Sequence, residues 1–89
     1  MPSANADLAV EQENIATSTT VAKEADFEAK CKGCILHCTE DAYLSFDRAV
    51  QTGDFFLKAD TMFHFPVEFT RLSALAVTAG GTLYILAYR

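Results

Sequence analysis

The 89 residues make one domain at most, and a chain this short buries only about 60–65% of the surface its unfolded form exposes, so oligomerisation, a disulfide or a larger partner is expected to support it. A hydrophobic content of 51% excludes a disordered chain, and seven Phe and three Tyr without a Trp supply the bulky packing material. The net charge of −5 belongs to residues 1–29, where six acids face Lys23 alone; beyond them acids and bases cancel, and no basic stripe is present to meet a phosphate backbone, which argues against nucleic-acid binding.

The start, MPSANADLAVEQEN, has neither a basic n-region nor an apolar h-region, so it does not read as a signal peptide. No apolar run approaches the ~18 residues of a membrane span. A reducing cytoplasm is the expected place of synthesis. Residues 1–15 read as an extended or flexible acidic arm, with Leu8, Val10 and Ile15 as its candidate contacts on a neighbouring subunit. Residues 16–89 read as a single β domain.

Ala16–Ala22 is rich in β-branched residues and is the first expected strand. Phe27, Ala29 and Cys31 then alternate with Glu28, Lys30 and Lys32, and after Gly33 the pattern resumes through Cys34, Leu36 and Cys38. The glycine at that phase change predicts a bulge or tight bend. A helix across Phe27–Cys38 is the competing reading. Ala42, Leu44 and Phe46 share a strand face, Gln51-Thr52-Gly53-Asp54 is a turn cluster, and Phe55-Phe56-Leu57 follows it. Ala59-Asp60 turns the chain into Thr61–Phe65, and Pro66 marks a strand end or an edge. Leu72–Val77 and Thr82–Tyr88 flank Thr78-Ala79-Gly80-Gly81, which reads as a hairpin. Six or seven short strands with closely spaced turns predict an all-β fold, a small antiparallel sandwich or barrel.

The densest chemistry is Cys31-Lys32-Gly33-Cys34-Ile35-Leu36-His37-Cys38. Thiolate and imidazole suit zinc, but structural zinc sites draw on two separated ligand pairs, and only His64 lies elsewhere. A redox Cys-x-x-Cys wants a helix N-terminus within a βαβ frame, and neither is signalled. A half-buried strand uses Cys as a small hydrophobe. The odd count also leaves a thiol for cross-linking, so Cys31, Cys34 and Cys38 are disulfide candidates if a protein folded in the cytoplasm is used outside the cell. His64, between Phe63 and Phe65, is expected on the opposite face from them. The carboxylates are scattered near turns, Gly80-Gly81 precedes no helix, and a domain this small has little room for a pocket. No catalytic, cofactor or metal residue is assigned, and no enzyme activity is expected.

Asp41 to Arg89 adds a resemblance. Ala42-Tyr43-Leu44-Ser45-Phe46-Asp47, then Phe55-Phe56-Leu57-Lys58-Ala59-Asp60, then Leu75-Ala76-Val77 through Gly80-Gly81 to Leu83-Tyr84-Ile85-Leu86-Ala87-Tyr88, resembles small virion structural proteins of tailed bacteriophages. The resemblance covers roughly the last half of the chain and is a pattern, not a signature motif. It implies a capsid decoration or cement subunit, bound to the major capsid protein or other virion proteins and to its own copies, with no nucleic-acid or membrane partner. The cysteine cluster departs from that pattern. A small Cys/His metal-binding or redox module using Cys31, Cys34, Cys38 and His37, or a phage regulator that meets a basic host surface through its acidic segment, are the alternatives.

Overall fold

A computed structural model describes residues 10–89. Its strands are β1 (Val10–Ala16), β2 (Lys23–Cys31), β3 (Gly33–Cys38), β4 (Ala42–Phe46), β5 (Phe55–Leu57), β6 (Met62–Phe65), β7 (Phe69–Ala76) and β8 (Thr82–Tyr88). The described residues contain no helix, so the competing helix across Phe27–Cys38 is not formed. The strands make two four-stranded antiparallel sheets, ordered β1-β8-β3-β6 and β2-β7-β4-β5. Consecutive strands mostly sit in different sheets, and the first and last pair with each other. Two such interleaved four-strand sheets are the arrangement of an eight-stranded jelly roll.

Period-two alternation builds the core. Cys34, Leu36 and Cys38 of β3 and Leu83, Ile85 and Ala87 of β8 point inward from the first sheet. Leu44 of β4, Leu57 of β5, and Phe69, Leu72 and Ala74 of β7 meet them from the second. A run of ring contacts crosses the sandwich. Phe27 meets Phe69 at 5.5 Å, Phe69 meets Phe46 at 5.0 Å, Phe46 meets Phe65 at 5.5 Å and Phe65 meets Phe55 at 5.0 Å. That run ends between the edge strands β5 and β6, where Phe55 closes the open side of the sandwich.

Several expectations need correction. The arm assigned to residues 1–15 is already sheet from Val10: β1 pairs with β8 from Val10 against Tyr88 to Ala16 against Thr82. Ile15 lies in the molecule's own core, 5% exposed, and Leu8 falls outside the described residues. The expected strand at Ala16–Ala22 is mostly a turn, in which the Ser18 hydroxyl accepts from the amides of Thr20 and Val21 and takes over the backbone's partners. Of the bulge or tight bend expected at Gly33, the bend is formed one residue earlier, at Lys32, where the chain leaves one sheet for the other, Cys31 ending β2 and Gly33 opening β3. The register shift lies earlier, between Asp26 and Cys31.

The largest correction concerns Gly80-Gly81. β7 already has β2 and β4 as neighbours, and β8 has β1 and β3. Both are central strands with no free edge to offer each other, so the segment between them crosses from sheet to sheet. The glycines serve close approach there. A Cβ on Gly80 would come within 2.7 Å of the Thr17 carbonyl oxygen, and one on Gly81 within 2.5 Å of the Thr39 hydroxyl. The Gly81 amide donates to the Thr17 hydroxyl at 2.8 Å, and the Thr17 amide returns a bond to the Gly81 carbonyl at 2.9 Å.

Candidate interaction surface

The two outer faces of the sandwich differ in chemistry. Outside the β2-β7-β4-β5 sheet, Glu24 and Asp26 lie beside Arg71, whose guanidinium approaches Glu24 at 3.9 Å. The loop 47–54 folds back over β7 at Ser73. The Val50 amide donates to the Ser73 hydroxyl at 3.2 Å, and Val50 and Ser73 are both buried. Arg48 grips Asp54 through two bonds of 3.0 and 2.6 Å, and Asp54 also accepts from the Gln51 amide at 2.7 Å. That face is charged at β2 and β7 and covered at Ser73, and it stays open at β5, where Phe56 is 45% exposed beside Tyr43.

The outer face of the other sheet is open and free of such charge. Register places Gln12, Leu86, Ile35 and His64 side by side across its four strands, and Asn14, Tyr84, His37 and Met62 in the next row. None of these is Asp, Glu, Lys or Arg; Asp60 stands at the rim, 3.7 Å from His37. Met62 is 71% exposed, Tyr84 44% and Leu86 40%. Between them is a shallow depression of about 160 Å³. Isolated exposed apolar residues are ordinary, but Tyr84 and Leu86 of β8 and Met62 of β6, with Ile35 of β3 between them, form a patch.

The patch is braced on its own face. The Tyr88 hydroxyl bonds the His64 ring at 2.6 Å, so one pair spans from β8 over β3 to β6. It can do so because the strand between carries Gly33: a Cβ there would sit 2.2 Å from the Tyr88 oxygen. His37 and Tyr84 stack with centroids 6.1 Å apart.

The cysteines face the other way. Cys31, Cys34 and Cys38 have no exposed surface, and none is at disulfide distance from another. The expectation of disulfide cross-linking finds no support: alternation turns Cys34 and Cys38 inward from β3, and Cys31 turns inward from β2 because the chain changes sheets between them. Desolvation by burial, with the nearby Cys31 adding to it, pushes the Cys34 thiol up to about 12, and burial raises Cys31 and Cys38 as well. Such thiols stay neutral at physiological pH. His37 alternates with Cys38 and sits on the outer face, away from the thiols, so the Cys/His module is not assembled. Among the described residues no group of three or more His, Cys, Asp or Glu is placed to hold a metal ion.

Sequence reading anticipated the outward His64 and missed the patch it belongs to. The signal was present in the alternation that turns Tyr84, Leu86 and Tyr88 to one face of β8. Compared with protein-family models, with curated proteins and with solved structures, the chain matches none.

Proposed function

We propose that the protein is a structural subunit of a tailed-phage particle, a capsid decoration or cement protein that binds the major capsid protein and its own copies and catalyses nothing. The observation that carries the reading is the open outer face of the β1-β8-β3-β6 sheet, apolar and aromatic and without a carboxylate, ammonium or guanidinium in its two rows. A surface of that kind is suited to burial against another protein. The jelly-roll strand order recurs in viral capsid domains, a support that is analogy at the level of fold. Four blunted sheet edges support the same reading, because they leave a face as the place where a partner is met. β5 and β6 have three and four residues, β6 stops before Pro66, and β1 and β2 carry Glu11, Glu13, Glu24 and Asp26.

Quantitative mass spectrometry of density-purified particles from the phage that encodes the chain tests this. Many copies per particle, released by the same treatment that loosens the shell, is the expected result. A protein found free in the infected cell and absent from particles would sink it and favour a regulator.

A further inference from the structure

We propose that residues 48–57 form a hinged flap, which swings away from the β2-β7-β4-β5 sheet as one unit and uncovers the edge of β4. Such a movement is built into the fold and is independent of the virion role.

The flap is pinned at both ends and stiff within. At one end Asp47 stands at a φ of 59°; its amide donates to the Arg71 carbonyl at 2.8 Å, and its carboxylate accepts the Thr70 and Arg71 amides at 2.9 and 3.0 Å. At the other end Asp60 stands at a φ of 57°. There the Ala59 amide donates to the Asp41 carboxylate at 2.7 Å, and the Asp60 amide to the Cys38 carbonyl at 2.8 Å. Two anchored residues in the left-handed region are points about which the segment between them can turn. Inside that segment Asp54 ties the loop to itself. Its carboxylate accepts from both terminal nitrogens of Arg48 and from the Gln51 amide, and its own amide donates to the Gln51 carbonyl at 3.1 Å. All of these partners lie within the flap, so they keep its shape without fastening it to the body.

What fastens it is slight. Val50 is buried, and its amide donates to the Ser73 hydroxyl at 3.2 Å. β5 meets β4 over three register pairs; of its residues Leu57 alone is buried, while Phe55 leans on the rings of Phe63 and Phe65. A segment with so little buried apolar surface and so short a ladder opens at a lower cost than the whole domain. Its opening changes what the sheet presents. β4 reads Ala42-Tyr43-Leu44-Ser45-Phe46, with no charge and no proline, whereas β1 and β2, which are edges in the closed fold, carry carboxylates. β5 is therefore the cover of β4, and lifting it turns a central strand into an unguarded edge.

Native-state hydrogen exchange of the full chain, read residue by residue at low urea concentrations, tests the movement. The Val50 amide and the β5 amides that pair with β4 should share one opening, at least about tenfold more populated than that of β7 and β8 and less steep in urea. Ser73→Ala removes the acceptor on the body. It should speed exchange at Val50 and in β5 alike, by about fivefold relative to β8, although β4 separates Ser73 from β5. Val50→Ala, which alters the flap and leaves the sheet intact, should act on the same group of amides, by about tenfold. Exchange of Val50 and β5 only together with β7 and β8 overturns the proposal. So does an effect of Ser73→Ala or Val50→Ala that stays at residue 50 and leaves β5 unchanged, because the segment then frays piecemeal and does not swing as a unit.

Discussion

Cys34 has no exposed surface, and its thiol is pushed up to about 12 by burial with Cys31 nearby. In the unfolded chain the thiol returns to its ordinary value near 9. Below that value it is neutral in both states and its packing contribution is intact; above it the unfolded form ionises first and is favoured. The folded state therefore loses stability as pH rises from about 9 toward 12, at a rate of up to about 1.4 kcal/mol per pH unit for this one proton. Urea unfolding across that window should show a flatter decline for Cys34→Ala than for the parent. Cys34→Ser should be less stable than Cys34→Ala at neutral pH by about 1–2 kcal/mol, because a hydroxyl in this apolar setting lacks the partner it had in water. Equal stabilities for the two variants would show that the site is wet or polar. A thiol reagent should modify none of the three cysteines in the native protein and all of them in denaturant.

Elements were readable in the sequence where a single strand's own alternation decides them, and unreadable where a distant residue does. Cys34, Leu36 and Cys38 point inward, and Phe63 and Phe65 oppose His64, as their spacing implies. Ala59-Asp60 turns, with Asp60 at a φ of 57°. The hairpin assigned to Gly80-Gly81 failed because its partners, Thr17 and Thr39, are remote in sequence and nothing local announces them. Asp47 was passed over for the same reason. It ends β4 at a φ of 59°, and its carboxylate accepts the Thr70 and Arg71 amides at 2.9 and 3.0 Å. Those successive amides can face one acceptor because Phe69 and Leu72 both turn inward, which leaves two residues between them where alternation allows one. The Thr70 amide is the main cause holding the Asp47 carboxyl below the ordinary range, so its contribution is present above that range and is lost as pH falls through the folded value. Asp47→Asn keeps a residue that tolerates this backbone region but removes the charge. It should cost about 1 kcal/mol at neutral pH, the low end for a charged acceptor because the side chain is exposed, and it should flatten the acid limb of the stability profile. An unchanged acid limb would mean that the carboxylate is bound no more tightly than water binds it.

For the whole molecule, the question that separates an arm from a strand is what happens when the first residues are removed. An arm covering residues 1–15 would be dispensable to a domain running from 16 to 89. In the jelly roll those residues include most of β1, which covers one side of β8 over seven register pairs and delivers Ile15 to the core. Removing them turns a central strand into a long edge and opens a row of unpaired amides and carbonyls beside Leu83 and Ile85. It also takes away Glu11, the partner of Arg89 at the chain's other end. For a domain of this size, whose net stability is expected to be only about 5–10 kcal/mol, losing a strand of the first sheet exceeds what the remainder can offset. Deletion of residues 1–15 should therefore give a chain that aggregates or shows no cooperative melting. Ile15→Ala, which keeps the strand and removes only its core side chain, should still fold at a cost of about 2–4 kcal/mol. A deletion variant that melts cooperatively near the parent's temperature would restore the arm and dispense with β1. The pairing of β1 with β8 predicts the opposite: this sheet is complete only after those two distant strands have met, so refolding is expected in the slow, millisecond-to-second range of β-sandwiches with distant pairings, and stopped-flow recovery of the tyrosine signal would measure it.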